Sequence, residues 1–283
     1  MQIRPWGTRG SIPSPGPTTV RYGGNTSCVE VRLRDDSLII LDAGTGIRAL
    51  GASLGVCDAT LLFSHYHWDH VQGFPFFSPA FLHESNIEIY GPPYLGEGPE
   101  EILFRQMHAP YFPADPSQLR GIRGCHVTPT TPFRIGTATV RAARASHPSV
   151  TYGYRIEDEE GVFVYLSDNE VDIAPAETLE GLIHLVEGAD LLLHDCQFFE
   201  PEYHVRQGWG HSTPRQVLQI AREAGVRRVM LYHHDPSHTD EQVEALAEEA
   251  RSMAGDIEIL IGREGESVAV GMGAAVNRSR DAR

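Results

Sequence analysis

At 283 residues with 41% hydrophobic content, the chain can bury one substantial core, or two modest ones, without help from disulfides. A formal net charge of −15, with no run of lysine or arginine, repels nucleic acid and favours a small substrate over a long polyanion. No charged-then-apolar leader follows Met1 and no apolar stretch approaches the roughly 20 residues that span a bilayer, so a soluble, cytoplasmic protein with no membrane role is expected.

Short β-branched or apolar runs predict strands at Cys28–Leu33, Leu38–Leu41, Ala59–Phe63, Asn86–Tyr90, Ala138–Ala142, Val162–Leu166, Leu191–Leu193, Val226–Tyr232 and Ile257–Ile261. Helical patterns lie between several of them, which points to an α/β protein whose sheets are covered by helices. After Leu41, the run Asp42-Ala43-Gly44-Thr45-Gly46 fits neither the dinucleotide fingerprint nor the P-loop and reads as a tight strand-to-helix turn, with Asp42 placed to orient a metal-binding histidine from behind. Gly91 to Pro132 is rich in proline and glycine and carries Met107, Tyr111 and Phe112, so it reads as an irregular surface excursion, either a lid or a cap on the core.

One helix is predicted after His211, with Thr213 as cap, Pro214 in the first turn, Gln216 completing a capping box, and Val217, Ile220, Ala221 and Ala224 as its apolar stripe before Gly225. A second repeats the logic with Thr239, Gln242 and the stripe Val243, Leu246, Ala247, Ala250 and Met253. A single domain over residues 1–271 with a frayed tail over 272–283 is expected. Cys28, Cys57, Cys125 and Cys196 form no C-x-x-C pair and read as buried thiols.

The chemistry concentrates after the strand ending at Phe63, in Ser64-His65-Tyr66-His67-Trp68-Asp69-His70. In extended chain, His65 and His67 share a face and can converge on one ion; where the chain turns, Asp69 and His70 can reach a second. One histidine of the 14 means little by itself, but four ligand-type residues within six positions mark a metal site. Imidazole and carboxylate donors suit zinc, and also manganese or iron. A catalytic zinc wants three protein ligands plus water, so the local run needs partners from elsewhere.

With this run, and with Gly7-Thr8-Arg9-Gly10-Ser11, Gly23-Gly24-Asn25-Thr26-Ser27-Cys28, His147-Pro148, Ser167-Asp168-Asn169-Glu170, Gly210-His211-Ser212-Thr213 and Leu231-Tyr232-His233, the chain resembles the metallo-β-lactamase-fold hydrolases. Within them it is similar to the branch containing tRNA 3′-processing endonucleases and their phosphodiesterase relatives. The resemblance implies an αββα four-layer sandwich. It also implies two zinc ions, the first held by His65, His67 and His147, the second by Asp69, His70 and His233, with Asp168 bridging them. His233 is preferred to His234 by the resemblance alone, which further suggests a homodimer.

Two adjacent ions can acidify a shared water and stabilise charge on a phosphoryl group, but the departing alkoxide still needs a proton. His211 is the candidate acid, in a Gly-His-Ser-Thr setting that resembles the family's catalytic histidine. Asp195, in His194-Asp195-Cys196-Gln197, is the candidate orienting carboxylate, where the family uses a glutamate. The expected catalytic set is therefore Asp69, His211 and Asp195.

No long glycine- and lysine-rich arm is visible, and Met107 to Pro113 and Arg263-Glu264-Gly265 resemble the phosphodiesterase-like members, so a small phosphodiester such as a cyclic nucleotide is the first expectation. The alternatives are ester or thioester hydrolysis on the same fold and tRNA 3′ processing. A di-iron redox protein is disfavoured because those proteins carry a glutamate where His67 stands and an appended flavin domain. Retention of a full candidate ligand set argues against a non-catalytic binding protein. Asn25 reads equally as a substrate contact and as a turn residue.

Overall fold

The computed structural model describes residues 1–271; the tail expected over 272–283 lies outside the described residues. In chain order the strands are β1 (Gln2–Gly7), β2 (Cys28–Arg32), β3 (Leu38–Leu41), β4 (Asp58–Leu62), β5 (Asn86–Gly91), β6 (Ile122–Val127), β7 (Phe133–Ile135), β8 (Ala138–Arg144), β9 (Tyr152–Asp158), β10 (Gly161–Leu166), β11 (Leu191–Asp195), β12 (Arg228–Tyr232), β13 (Glu258–Ile261) and β14 (Val268–Ala269). The helices are α1 (Ile47–Leu54), α2 (Trp68–Val71), α3 (Pro99–Arg105), α4 (Ala176–Val186), α5 (Glu200–Tyr203), α6 (Pro214–Glu223) and α7 (Asp240–Met253).

The strands form two seven-stranded mixed sheets, ordered β14-β1-β2-β3-β4-β5-β6 and β13-β12-β11-β10-β9-β8-β7. Strict alternation along each strand assigns its residues to layers. In β3, Ile39 and Leu41 enter the core between the sheets, whereas Leu38 and Ile40 pack outward with Ile47 and Leu50 of α1. In β10, Phe163 and Tyr165 face the other sheet, whereas Val164 and Leu166 pack outward with residues of α4, α6 and α7. Both faces of the central strands are therefore buried, which is why their sequences read as unbroken apolar runs. The outcome is the expected αββα sandwich.

All nine predicted strands are present, with ends moved by one or two residues. The excursion from Gly91 to Pro132 is less irregular than expected: it contains α3 and β6, which pairs in parallel with β5. Met107 is not a surface residue but lies buried beside Leu103 against the first sheet, because α3 needs an apolar side to hold it there. Tyr111 is exposed.

Helix α7 carries its predicted capping box, Thr239 Oγ1 accepting from Gln242 N at 3.4 Å while Gln242 Oε1 accepts from Thr239 N at 3.0 Å. In α6 the box is not made. Thr213 Oγ1 donates instead to Glu200 Oε1 at 2.6 Å, and Gln216 is drawn into the interior, so tertiary partners override the local cap. The four cysteines are free, Cys28 and Cys196 buried and the other two half-buried. Among the described residues no helix is long and apolar enough to cross a membrane.

Candidate metal centre

Strands β3 and β4 run parallel, as do β10, β11 and β12, so their C-terminal ends lie on one rim of the sandwich. Asp42 follows β3, the His65–His70 run follows β4, Asp168 follows β10, Asp195 ends β11 and His233 follows β12. Loops at such ends escape the pairing that occupies strand backbone, which leaves their side chains free for chemistry.

His65 and His67 precede α2, their rings 4.5 Å apart, and Asp69 and His70 sit in its single turn. Candidate donor atoms fall into overlapping groups within 4.8 Å: His65, His67 and His147; His65, His70 and Asp168; Asp69, His70 and His233; His147, Asp168 and His211. His147 Nε2 is 3.2 Å from His67 Nδ1, and His147 Nδ1 donates to Gly210 O at 3.1 Å, which turns Nε2 inward. His233 Nε2 stands 3.0 Å from Asp69 Oδ2 and 3.4 Å from Asp168 Oδ1. All seven residues expected as ligands are thus brought together. His234 points elsewhere, with Nε2 3.1 Å from Gly262 O and its ring edge-on to Tyr22.

The surroundings fit a divalent cation. His65 Nε2 and Asp168 Oδ2 are buried without a well-formed hydrogen bond, an arrangement that is costly unless another partner is supplied. Burial pushes the Asp69 and Asp168 carboxyls upward, yet His70 and His233 outweigh it and hold both well below the usual range. Burial depresses His70, but Asp168, Asp69 and Asp42 together raise it well above an ordinary imidazole. Burial pulls His147 down to about 4, against the attraction of Asp168, and so keeps its imidazole neutral and able to ligate.

Supporting contacts come from distant segments. Asp42 Oδ2 accepts from His70 Nδ1 at 2.8 Å, from Ser64 Oγ at 2.7 Å and from Tyr165 OH at 2.7 Å, as its expected supporting role requires. Ser11 N donates to Asp69 Oδ2 at 2.7 Å, and Gln197 Oε1 lies 3.3 Å from His233 Nδ1. Ser11 and Gln197 lie in runs compared with the family above, but no local signal assigns them or Tyr165 these contacts, because each acts only through a neighbour far along the chain. Asn25 is an internal strut, its backbone N and Nδ2 donating to Glu264 and its Oδ1 accepting from Thr45 Oγ1.

His211 is buried beside the cluster, its ring stacked on His233 at 4.9 Å and edge-on to Phe198 at 5.8 Å. Its Nδ1 lies 3.6 Å from Asp195 Oδ2 and 3.8 Å from Asp168 Oδ1, ion-pair rather than hydrogen-bond distances. Asp195 is fully buried and accepts from Asn169 N at 3.0 Å and Ser212 N at 2.8 Å, so it also ties the loops bearing Asp168 and His211 together.

The family described as beta-lactamase superfamily domain matches residues 38–234, a span that includes all seven candidate ligands as well as Asp195 and His211. Ribonuclease Z of Metallosphaera sedula is 28% identical over 248 residues, covering 73% of this chain and 82% of that protein. Among solved structures, the metallo-beta-lactamase fold protein YhfI from Bacillus subtilis superposes with a TM-score of 0.71 at 21% identity, over 95% of this chain and 99% of its own. The short form of human tRNase Z does so with a TM-score of 0.66 at 19% identity, over 96% and 100%. The chain belongs to the beta-lactamase superfamily and is a metal-dependent hydrolase of the metallo-β-lactamase fold.

Proposed function

We propose that the chain is a dinuclear metal-dependent phosphodiesterase acting on RNA 3′ ends. The observation that carries the reading is the convergence of His65, His67, Asp69, His70, His147, Asp168 and His233 at one rim, beside the buried His211. The ribonuclease Z relatives support RNA as the substrate class and displace the cyclic nucleotide from first place. Two zinc ions are the first expectation for the metals, with manganese or iron also compatible with this donor set.

In this reading His65, His67 and His147 would hold one ion, Asp69, His70 and His233 the other, and Asp168 would be available to both. The chemistry such a pair of ions would supply here is Lewis acidity toward the phosphoryl oxygens and a more acidic attacking water. His211 would give its proton to the departing alkoxide, with Asp195 Oδ2, 3.6 Å from its Nδ1, as the positioning carboxylate. Gly210 O and Asp42 keep His147 and His70 in register throughout.

A second reading, a small phosphodiester substrate, is favoured by the net charge of −15, which opposes a polyanion. The deciding experiment gives metal-analysed protein a 3′-extended tRNA transcript, bis(p-nitrophenyl) phosphate and cyclic nucleotides, with Asp69→Ala as control. Metal-dependent cleavage of the transcript supports the first reading, and turnover of the small esters alone supports the second. No turnover with both metals bound would overturn both and leave ester or thioester hydrolysis as the next reading.

A further inference from the structure

Two of the chain's three tryptophans, Trp68 and Trp209, are 69% and 60% exposed, and both adjoin the candidate centre. Trp68 follows His67 directly. Trp209 precedes Gly210, whose carbonyl oxygen accepts from His147, and His147 in turn meets His67. Indole left in water on a folded surface gives up burial that a core position would have supplied, so its placement beside a polar centre calls for a partner.

The segment bearing Trp209 is held rigidly. Glu170, fully buried two residues after Asp168, accepts from Gly208 N at 2.8 Å, Gly210 N at 2.7 Å and Tyr203 OH at 2.9 Å. The two glycines flank Trp209 and both adopt positive φ, 89° and 91°, so the carboxylate clamps the backbone on either side and leaves the indole facing outward. Arg206 completes the arrangement. Its guanidinium lies 5.1 Å from the Phe198 ring and 5.9 Å from the Trp209 ring, and it forms no ion pair among the described residues. Phe198 also meets the His211 ring edge-on, so one aromatic ring links this cation to the candidate acid in a molecule of net negative charge.

We propose that Trp209 and Arg206 form a nucleotide-recognition rim, Trp209 stacking on a base of the substrate and Arg206 drawing its phosphate toward the centre. A flat π-face beside a phosphate-reactive site suits any nucleobase, and a guanidinium over aromatic rings adds attraction without fixing the sequence. The proposal rests on the phosphodiesterase reading of the centre and gives it a preference for nucleotidyl esters over base-free ones.

The test is calorimetric titration of the full-length, metal-loaded protein with adenosine 5′-monophosphate and with methyl phosphate, alongside turnover of a nucleotidyl p-nitrophenyl ester. The native protein should bind the nucleotide more tightly, and Trp209→Ala should reduce that affinity ratio about ten-fold, whereas Trp209→Phe keeps most of it. Arg206→Gln should weaken nucleotide binding and flatten its salt dependence. Should Trp209→Ala misfold, quenching of the native protein's tryptophan fluorescence by the nucleotide, but not by methyl phosphate, reads the same contact. A ratio near one in the native protein, a ratio indifferent to Trp209→Ala, or absent quenching would overturn the proposal. A Trp209-dependent ratio without hydrolysis would sink the phosphodiesterase reading and leave the rim standing, whereas hydrolysis with an indifferent ratio would do the reverse.

Discussion

His70 Nδ1 donates to Asp42 Oδ2 at 2.8 Å, and that bond turns the other ring nitrogen toward Asp168 at 3.2 Å and Asp69 at 3.3 Å. Asp42 therefore sets both the tautomer and the aim of a central imidazole from a strand end well before it in sequence. Asp42→Asn should lower metal affinity about 10–100-fold, read by competition with a chelating dye. Unchanged affinity would mean that packing alone orients His70.

His211→Ala should leave metal content intact and lower turnover about 10²–10⁴-fold, the range for loss of a general acid. Elemental analysis beside the rate assay separates an acid from a ligand, since loss of one ion would place His211 in the coordination sphere with His147 and Asp168. Asp195→Asn should have a smaller effect on rate, because the pairing with His211 spans 3.6 Å while the bonds to Asn169 N and Ser212 N are retained in part.

Gly10 is required by close approach. A methyl group there would lie 2.4 Å from Cε1 and Nδ1 of the His233 ring. Gly10→Ala should displace that ring, lower the content of bound metal and cut activity at least about ten-fold while leaving the far-ultraviolet spectrum unchanged. Full metal occupancy in this variant would show that the ring has room to retreat.

Removing the metals should lower the melting temperature. Ligand linkage gives about 4 kcal/mol for an ion present at a thousand times its dissociation constant, which for a protein of this size corresponds to roughly 10 °C. Scanning calorimetry before and after chelation measures it, with restoration by zinc as the control. A melting temperature indifferent to chelation would argue that no cation contributes to the fold.

Burial raises the carboxyl of Glu264 above its ordinary value of 4.5, although hydrogen bonds from Asn25 pull the other way. The folded state therefore holds this proton more tightly than the unfolded chain. The group's contribution to stability is complete below pH 4.5 and is lost as pH rises through the raised value. Glu264→Gln should remove that slope, so urea unfolding at a series of pH values should show the variant gaining on the native protein as pH rises through this window. A difference independent of pH would show that Glu264 titrates alike in both states.

The layered architecture was legible because it rests on short-range pattern. Runs such as Leu38–Leu41 and Leu191–Leu193 are apolar at every position since they face a core on both sides, and α7 announces itself through a cap and a stripe that need no partner. Where the local signal competed with a distant one it misled: Thr213 has the residue type of a cap but bonds Glu200, and Met107 sits in a polar stretch yet belongs to the core.

The sequence by itself determined the chemistry of the centre, because His65, His67, Asp69 and His70 lie within one strand-to-helix turn where spacing and direction are nearly the same thing. What only the tertiary structure decided is how that run is completed and aimed. That His233 rather than its neighbour meets Asp69 and Asp168 goes with a left-handed backbone at φ 54° and with the space left beside Gly10. The roles of Tyr165, Ser11 and Glu170 exist only once parallel strand ends from both sheets meet at one rim. Such contacts link residues tens to hundreds of positions apart, and a hydrogen bond depends on distance in space, for which distance along the chain is no guide.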